Sequence, residues 1–98
     1  MKMNELNEYK KEETPKAPPP IRIVVADDHT IVRDGIAHLL NAEADFEVVG
    51  QAGDGFQVIE LVNRLKPDVI LMDLQMPNLD GVAAIKRIRA ADEQVKII

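Results

Sequence analysis

Four short apolar runs, separated by stretches with helical spacing, leave this chain very few ways to fold. The runs are Ile23-Val24-Val25-Ala26, Phe46-Glu47-Val48-Val49, Val69-Ile70-Leu71-Met72 and Val95-Lys96-Ile97-Ile98. Runs that are mostly apolar at consecutive rather than alternate positions suit strands covered on both faces, as in a parallel sheet. After the first run, Val32, Ile36, Leu39 and Leu40 fall at i, i+4, i+7 and i+8, one stripe of a helix. The second run is ended by Gly50, Gly53 and Gly55. Val58, Val62 and Leu65 then space a second helix that stops before Pro67. After the third run, a loop containing Pro77 leads to Asp80, a good N-cap, and Val82, Ile85 and Ile88 space a third helix. Successive strands lie about 20–25 residues apart, close to the ~30 of a whole βαβ unit. This order predicts an α/β fold, a doubly wound parallel sheet with three βα units and the start of a fourth strand.

The segment before Ile21 has a different character. Residues 1–20 hold four Lys balanced by four Glu, close on Pro18, Pro19 and Pro20, and contain almost no apolar side chains. Such a stretch buries too little surface to offset its ordering entropy, so it reads as a disordered arm ahead of one domain at 21–98. No stretch in the chain approaches the ~18 apolar residues of a membrane helix, and no export signal is visible. There are no cysteines, which removes disulfides, thiolate metal sites and a Cys nucleophile. These features together predict a cytoplasmic protein without a membrane partner. The net charge of −5 falls entirely on residues 21–98, so these residues repel a nucleic acid backbone.

The chemistry is expected where the strands end. In open parallel sheets, ligands sit beyond the carboxyl ends of the strands, where the strand order reverses. The first run ends in Asp27 and Asp28 and the third in Asp73. If those strands are neighbours, ~4.8 Å apart, three carboxylates share one pocket. Their mutual repulsion calls for a cation. An oxygen donor set with neither Cys nor a His cluster suits a hard ion such as Mg²⁺, which also takes phosphate oxygens as ligands. A carboxylate neutralised in this way can attack phosphorus and form an acyl phosphate. The quieter role for Asp27 or Asp28 is to cap the helix starting near Thr30, and capping is the preferred role for Asp54 and Asp80. His29 reads as a loop or first-turn residue, because one His beside carboxylates is weak evidence for a transition-metal ligand.

Val25-Ala26-Asp27-Asp28-His29, Val32-Arg33-Asp34-Gly35-Ile36, and Leu71-Met72-Asp73-Leu74-Gln75-Met76-Pro77 with Asp80-Gly81 resemble the receiver domain of bacterial two-component response regulators. The Asp-Asp-His start and the Val-Arg-x-Gly helix are similar to the NarL/FixJ class. The resemblance spans Ile21 to Ile98 and implies a flavodoxin-like, CheY-like sheet with strand order 2-1-3-4-5. It implies Asp73 as phosphoacceptor, Asp28 as a direct Mg²⁺ ligand, Asp27 acting largely through a bound water, and the backbone carbonyl of Gln75 as a further ligand. It also implies a sensor histidine kinase as donor, a homodimer in the full-length protein, and DNA contact only through a C-terminal domain.

In that family a Ser or Thr ends the fourth strand and a Lys ends the fifth. Neither is present here, and Lys96 lies too early for either role, so the chain reads as part of a longer receiver. Without the family's last helix, Ile36 and Leu40 are expected to be wetter than core residues. Two other readings compete. Aspartyl-nucleophile phosphatases carry a second Asp two residues after the nucleophile, but here that position is Gln75. A remnant that only binds partners, or has no function, is the alternative reading for a chain of this length. The glycines Gly50, Gly53 and Gly55 match no dinucleotide fingerprint.

Overall fold

The computed structural model describes residues 18–76 and 81–98. Its elements are β1 (Ile21–Ala26), α1 (Thr30–Asn41), β2 (Phe46–Ala52), α2 (Gly55–Leu65), β3 (Val69–Met72), α3 (Gly81–Ala91) and β4 (Lys96–Ile97). All pairings are parallel and the strand order is β2-β1-β3-β4. The doubly wound sheet expected from the four apolar runs is therefore present. Residues 1–17, most of the expected arm, lie outside the described residues, as do Pro77 and the expected cap Asp80.

Strand order determines the layering. The β1-to-β2 crossover runs one way along the sheet, whereas the next two run the other way. With right-handed crossovers, α1 lies on one face and α2 and α3 on the other. The main core lies under α2 and α3, where Val24, Ala26, Ala52, Val58, Val62, Ile70, Ile88 and Val95 form one buried cluster. Ile23 and Val25 point to the opposite face, where Ala37 is the buried residue of α1.

Three sequence expectations need correction. The second strand does not end at Gly50 but runs to Ala52. Val49 is an extra residue, because Ile23 pairs with Val48 and Val24 with Gly50. A bulge of this kind lets the strand continue past the irregularity. Gly50 is needed there for closeness, since a Cβ would stand 3.2 Å from one methyl of Leu61 and 3.3 Å from one of Leu65. In α1 the stripe turns differently from its spacing. Val32 and Leu39 are exposed, Ile36 and Leu40 are half-buried as expected, and Ala37 takes the core position. In α3 the buried residues are Ala84 and Ile88, while Val82 faces outward.

Helix ends follow local chemistry. Asp54 caps α2 by accepting the Gln57 backbone N–H at 2.8 Å, and the Gln57 side chain accepts the Gly53 N–H at 2.7 Å. This reciprocal pair is close to a capping box. Lys66 ends α2 in a left-handed conformation, φ 49° and ψ 60°, immediately before buried Pro67.

Candidate metal centre

Backbone hydrogen bonds carry the sheet one step past its strands and bring the acids together. The Asp27 N–H donates to the Ala52 carbonyl at 3.0 Å, and the Asp73 N–H donates to the Ala26 carbonyl at 2.9 Å. Asp27 and Asp73 are thus held at the carboxyl ends of adjacent strands. β2 lies on one side of β1 and β3 on the other, so the acids sit at the reversal of strand order, where such sheets bind ligands. One ligand atom each from Asp27, Asp28, His29 and Asp73 lies within 4.8 Å of the others. The three carboxylates expected to meet do meet. A cavity of about 380 Å³ lined by Ile21, Lys66, Asp68, Asp92 and Lys96 lies at the opposite end of the strands and includes none of these acids.

Neither Asp27 nor Asp28 caps α1. The N-cap is His29, which makes no side-chain cap bond. Asp27 Oδ1 instead accepts the His29 backbone N–H at 2.8 Å, and the same oxygen lies 3.0 Å from His29 Nδ1. That nitrogen is also 3.0 Å from Asp28 Oδ1. Asp73 Oδ1 accepts the Gln75 backbone N–H at 2.9 Å, which sets the plane of the carboxyl group and brings Gln75 to the site through its main chain.

Electrostatics match these contacts. The His29 backbone N–H, helped by its ring and by Arg33, holds Asp27 below its usual 3.8 despite partial burial. His29 is raised above 6.5, first by its hydrogen bond to Asp27 and then by the nearby charge of Asp28. Three carboxylates in a small, water-accessible cluster form a donor set that fits a divalent cation and leaves room for water or phosphate oxygens.

Two contributors were not evident from the sequence. His29 stands at the loop-to-helix junction, as a loop or first-turn residue does, and also among the acids. Arg33 was read as one polar position of a helix. In the fold its Nη1 donates to the Asp27 carbonyl at 2.9 Å and its Nε to Gln51 Oε1 at 3.2 Å, tying the β1–α1 loop to β2. Gly53 leaves room for this, since a Cβ there would stand 3.0 Å from Arg33 Nη1. The only sequence signals were the adjacency of His29 to the acid pair and the position of Arg33 one turn later.

Residues 23–98 match the response regulator receiver domain family. The transcriptional regulatory protein LiaR of Bacillus subtilis is 47% identical over 78 residues, covering 80% of this chain and 37% of LiaR. The receiver domain of the response regulator NarL from Mycobacterium tuberculosis superposes with a TM-score of 0.74 at 36% identity, covering 82% of this chain and 64% of that one. RcsB from Salmonella enterica serovar Typhimurium, bound to the rprA promoter with the phosphomimetic BeF3⁻, gives 0.73 at 32% identity, covering 80% of this chain and 40% of that one. The chain thus spans little more than a third of a curated relative such as LiaR.

Proposed function

Because this chain belongs to the response regulator receiver domain family, we propose that it receives a phosphoryl group on Asp73 from a sensor histidine kinase in a Mg²⁺-dependent reaction. The observation that carries this reading is the convergence of Asp27, Asp28, His29 and Asp73 within 4.8 Å at the reversal of strand order. Asp28 would ligate the ion directly, Asp27 would act largely through a water, and the Asp73 carboxylate and the Gln75 carbonyl would complete the protein's share. When bound, the ion offsets the charge of the carboxylates and the phosphoryl oxygens together.

The chain's own residues do the rest. The Gln75 N–H orients the Asp73 carboxylate. One Asp73 oxygen attacks phosphorus, the P–N bond of the donor phosphohistidine breaks, and the electron pair leaves with the kinase imidazole. The product is an acyl phosphate on Asp73. Arg33 keeps the Asp27–Asp28 loop in place through the Asp27 carbonyl. The demand is mainly positioning and charge neutralisation, so the chain is a substrate that assists its own phosphorylation and dephosphorylation rather than a turnover enzyme.

The signal passes to transcription through a homodimer and a C-terminal DNA-binding domain beyond residues 21–98, since those residues are acidic. LiaR and DNA-bound RcsB support this reading. We place the protein in the cytoplasm; among the described residues no helix is long and apolar enough to cross a membrane.

The test is to incubate the chain with Mg²⁺ and acetyl phosphate and weigh the intact protein. Wild type should gain one phosphoryl mass, chelation of Mg²⁺ should prevent it, and Asp73→Asn should remain unmodified. Equal incorporation in Asp73→Asn would remove Asp73 from its role.

A further inference from the structure

The acids at the strand ends come with a nitrogen. We propose that His29 is a fourth ligand of this site and extends its affinity to later divalent ions that favour imidazole, such as Co²⁺ and Ni²⁺, beyond the oxygen-preferring Mg²⁺. This rests on the metal-site reading above.

The argument is geometric. An octahedral ion with ligands at about 2.1 Å sets adjacent ligand atoms about 3.0 Å apart and opposite ones about 4.2 Å apart. His29 Nδ1 stands 3.0 Å from Asp27 Oδ1 and 3.0 Å from Asp28 Oδ1. The separation from Asp28, the direct ligand, equals the spacing of adjacent ligands, while the hydrogen bond to Asp27 holds the ring at the site. The largest separation in the four-atom set, up to 4.8 Å, exceeds the opposite-ligand distance by roughly half an ångström. The backbone of His29 is tethered by its N–H to Asp27 Oδ1, while its side chain is 69% exposed and can make that adjustment.

Donor chemistry then separates the ions. Imidazole suits the later first-row ions, whose affinity for mixed nitrogen and oxygen sites rises through Co²⁺ and Ni²⁺, whereas Mg²⁺ and Mn²⁺ favour carboxylate, carbonyl and water. A site with three carboxylates and one reachable nitrogen serves both classes, and His29 sets the balance between them.

Calorimetric titration of the whole chain with MgCl2 and with CoCl2, alongside the visible spectrum of bound Co²⁺, tests this. In His29→Ala the ratio of the Co²⁺ to the Mg²⁺ association constant should fall about tenfold or more, as expected for loss of a ligand. The Co²⁺ band should move towards that of an all-oxygen site. An unchanged ratio and band would overturn the proposal. So would a ratio that falls only because Mg²⁺ binds more tightly while the Co²⁺ band stays in place, since the ring would then merely obstruct the site. Asp28→Asn separates the two readings. If it weakens both ions while His29→Ala changes neither, only the role of His29 fails. If it leaves both affinities intact, the metal site itself is wrong and the role of His29 falls with it.

Discussion

On the face of the sheet that carries Val24, Ala26 and Ile70, two helices close over the strands and contact each other. On the face that carries Ile23 and Val25, α1 packs against β1 and β2 as the helix of that layer. All three helices have apolar stripes, yet the outcomes differ. Val58 and Val62 of α2 and Ile88 of α3 are fully buried, while Ile31 and Leu39 of α1 are 88% and 71% exposed. An apolar stripe makes a helix able to bury one side, but a second neighbouring element is needed before most of that stripe leaves water. A fully buried aliphatic side chain is worth about 1.5–3 kcal/mol relative to an exposed one, so the two faces contribute unequally to stability.

The largest expected difference comes from matched truncations. Ile70→Ala, on the covered face, should cost about 2–5 kcal/mol in urea unfolding. Leu39→Ala, on the other face, should stay within about 0.5 kcal/mol. Comparable losses at both sites would mean that the α1 layer is as well packed as the other. A pair of glycines sharpens the comparison with opposite signs. Gly50→Val should cost about 1–3 kcal/mol, because its side chain would run into Leu61 and Leu65. Gly35→Ala should gain about 0.5–1 kcal/mol, because it lies inside α1 and a Cβ there meets nothing within 4 Å. A destabilising Gly35→Ala would reveal packing on α1 that the exposures do not.

The smallest effect is in pH dependence and compares the site with the rest of the molecule. His29 is raised above 6.5, so its contacts with Asp27 and Asp28 add stability that is complete below that value and is lost as pH rises through the higher folded-state value. Asp27 is lowered below 3.8, so its contribution is present above that value and is lost as pH falls through the lower folded-state value. The melting temperature of the wild type should therefore fall slightly more than that of His29→Ala between pH 6 and pH 9. Exposure of the imidazole keeps the difference small. Parallel pH profiles would show that the ring contacts add nothing.

Much of this was legible in the residues. The apolar runs Val24–Ala26 and Val69–Met72 announce interior strands, and the acids that close them announce the cluster at the strand ends. The cap at Asp54 and the stop before Pro67 were legible because both depend on residues a few positions apart. The bulge at Val49 was not legible, because Gly50 answers to Leu61 and Leu65 across the α2 contact. The second strand therefore runs three residues past the end that its apolar run predicts. Arg33 was not legible as a brace because its partners Asp27 and Gln51 meet only when β1 and β2 pair.

The sequence by itself determined the order of elements, the parallel character of the sheet and the placing of Asp27, Asp28 and Asp73 at strand ends. Periodicity and short-range chemistry act within one element and its turns, so one chain suffices to read them. Tertiary structure alone decided which side of α1 meets the sheet, and that Asp73 stands beside Asp27, Asp28 and His29. Both depend on what stands opposite, and that is set by contacts between residues far apart along the chain.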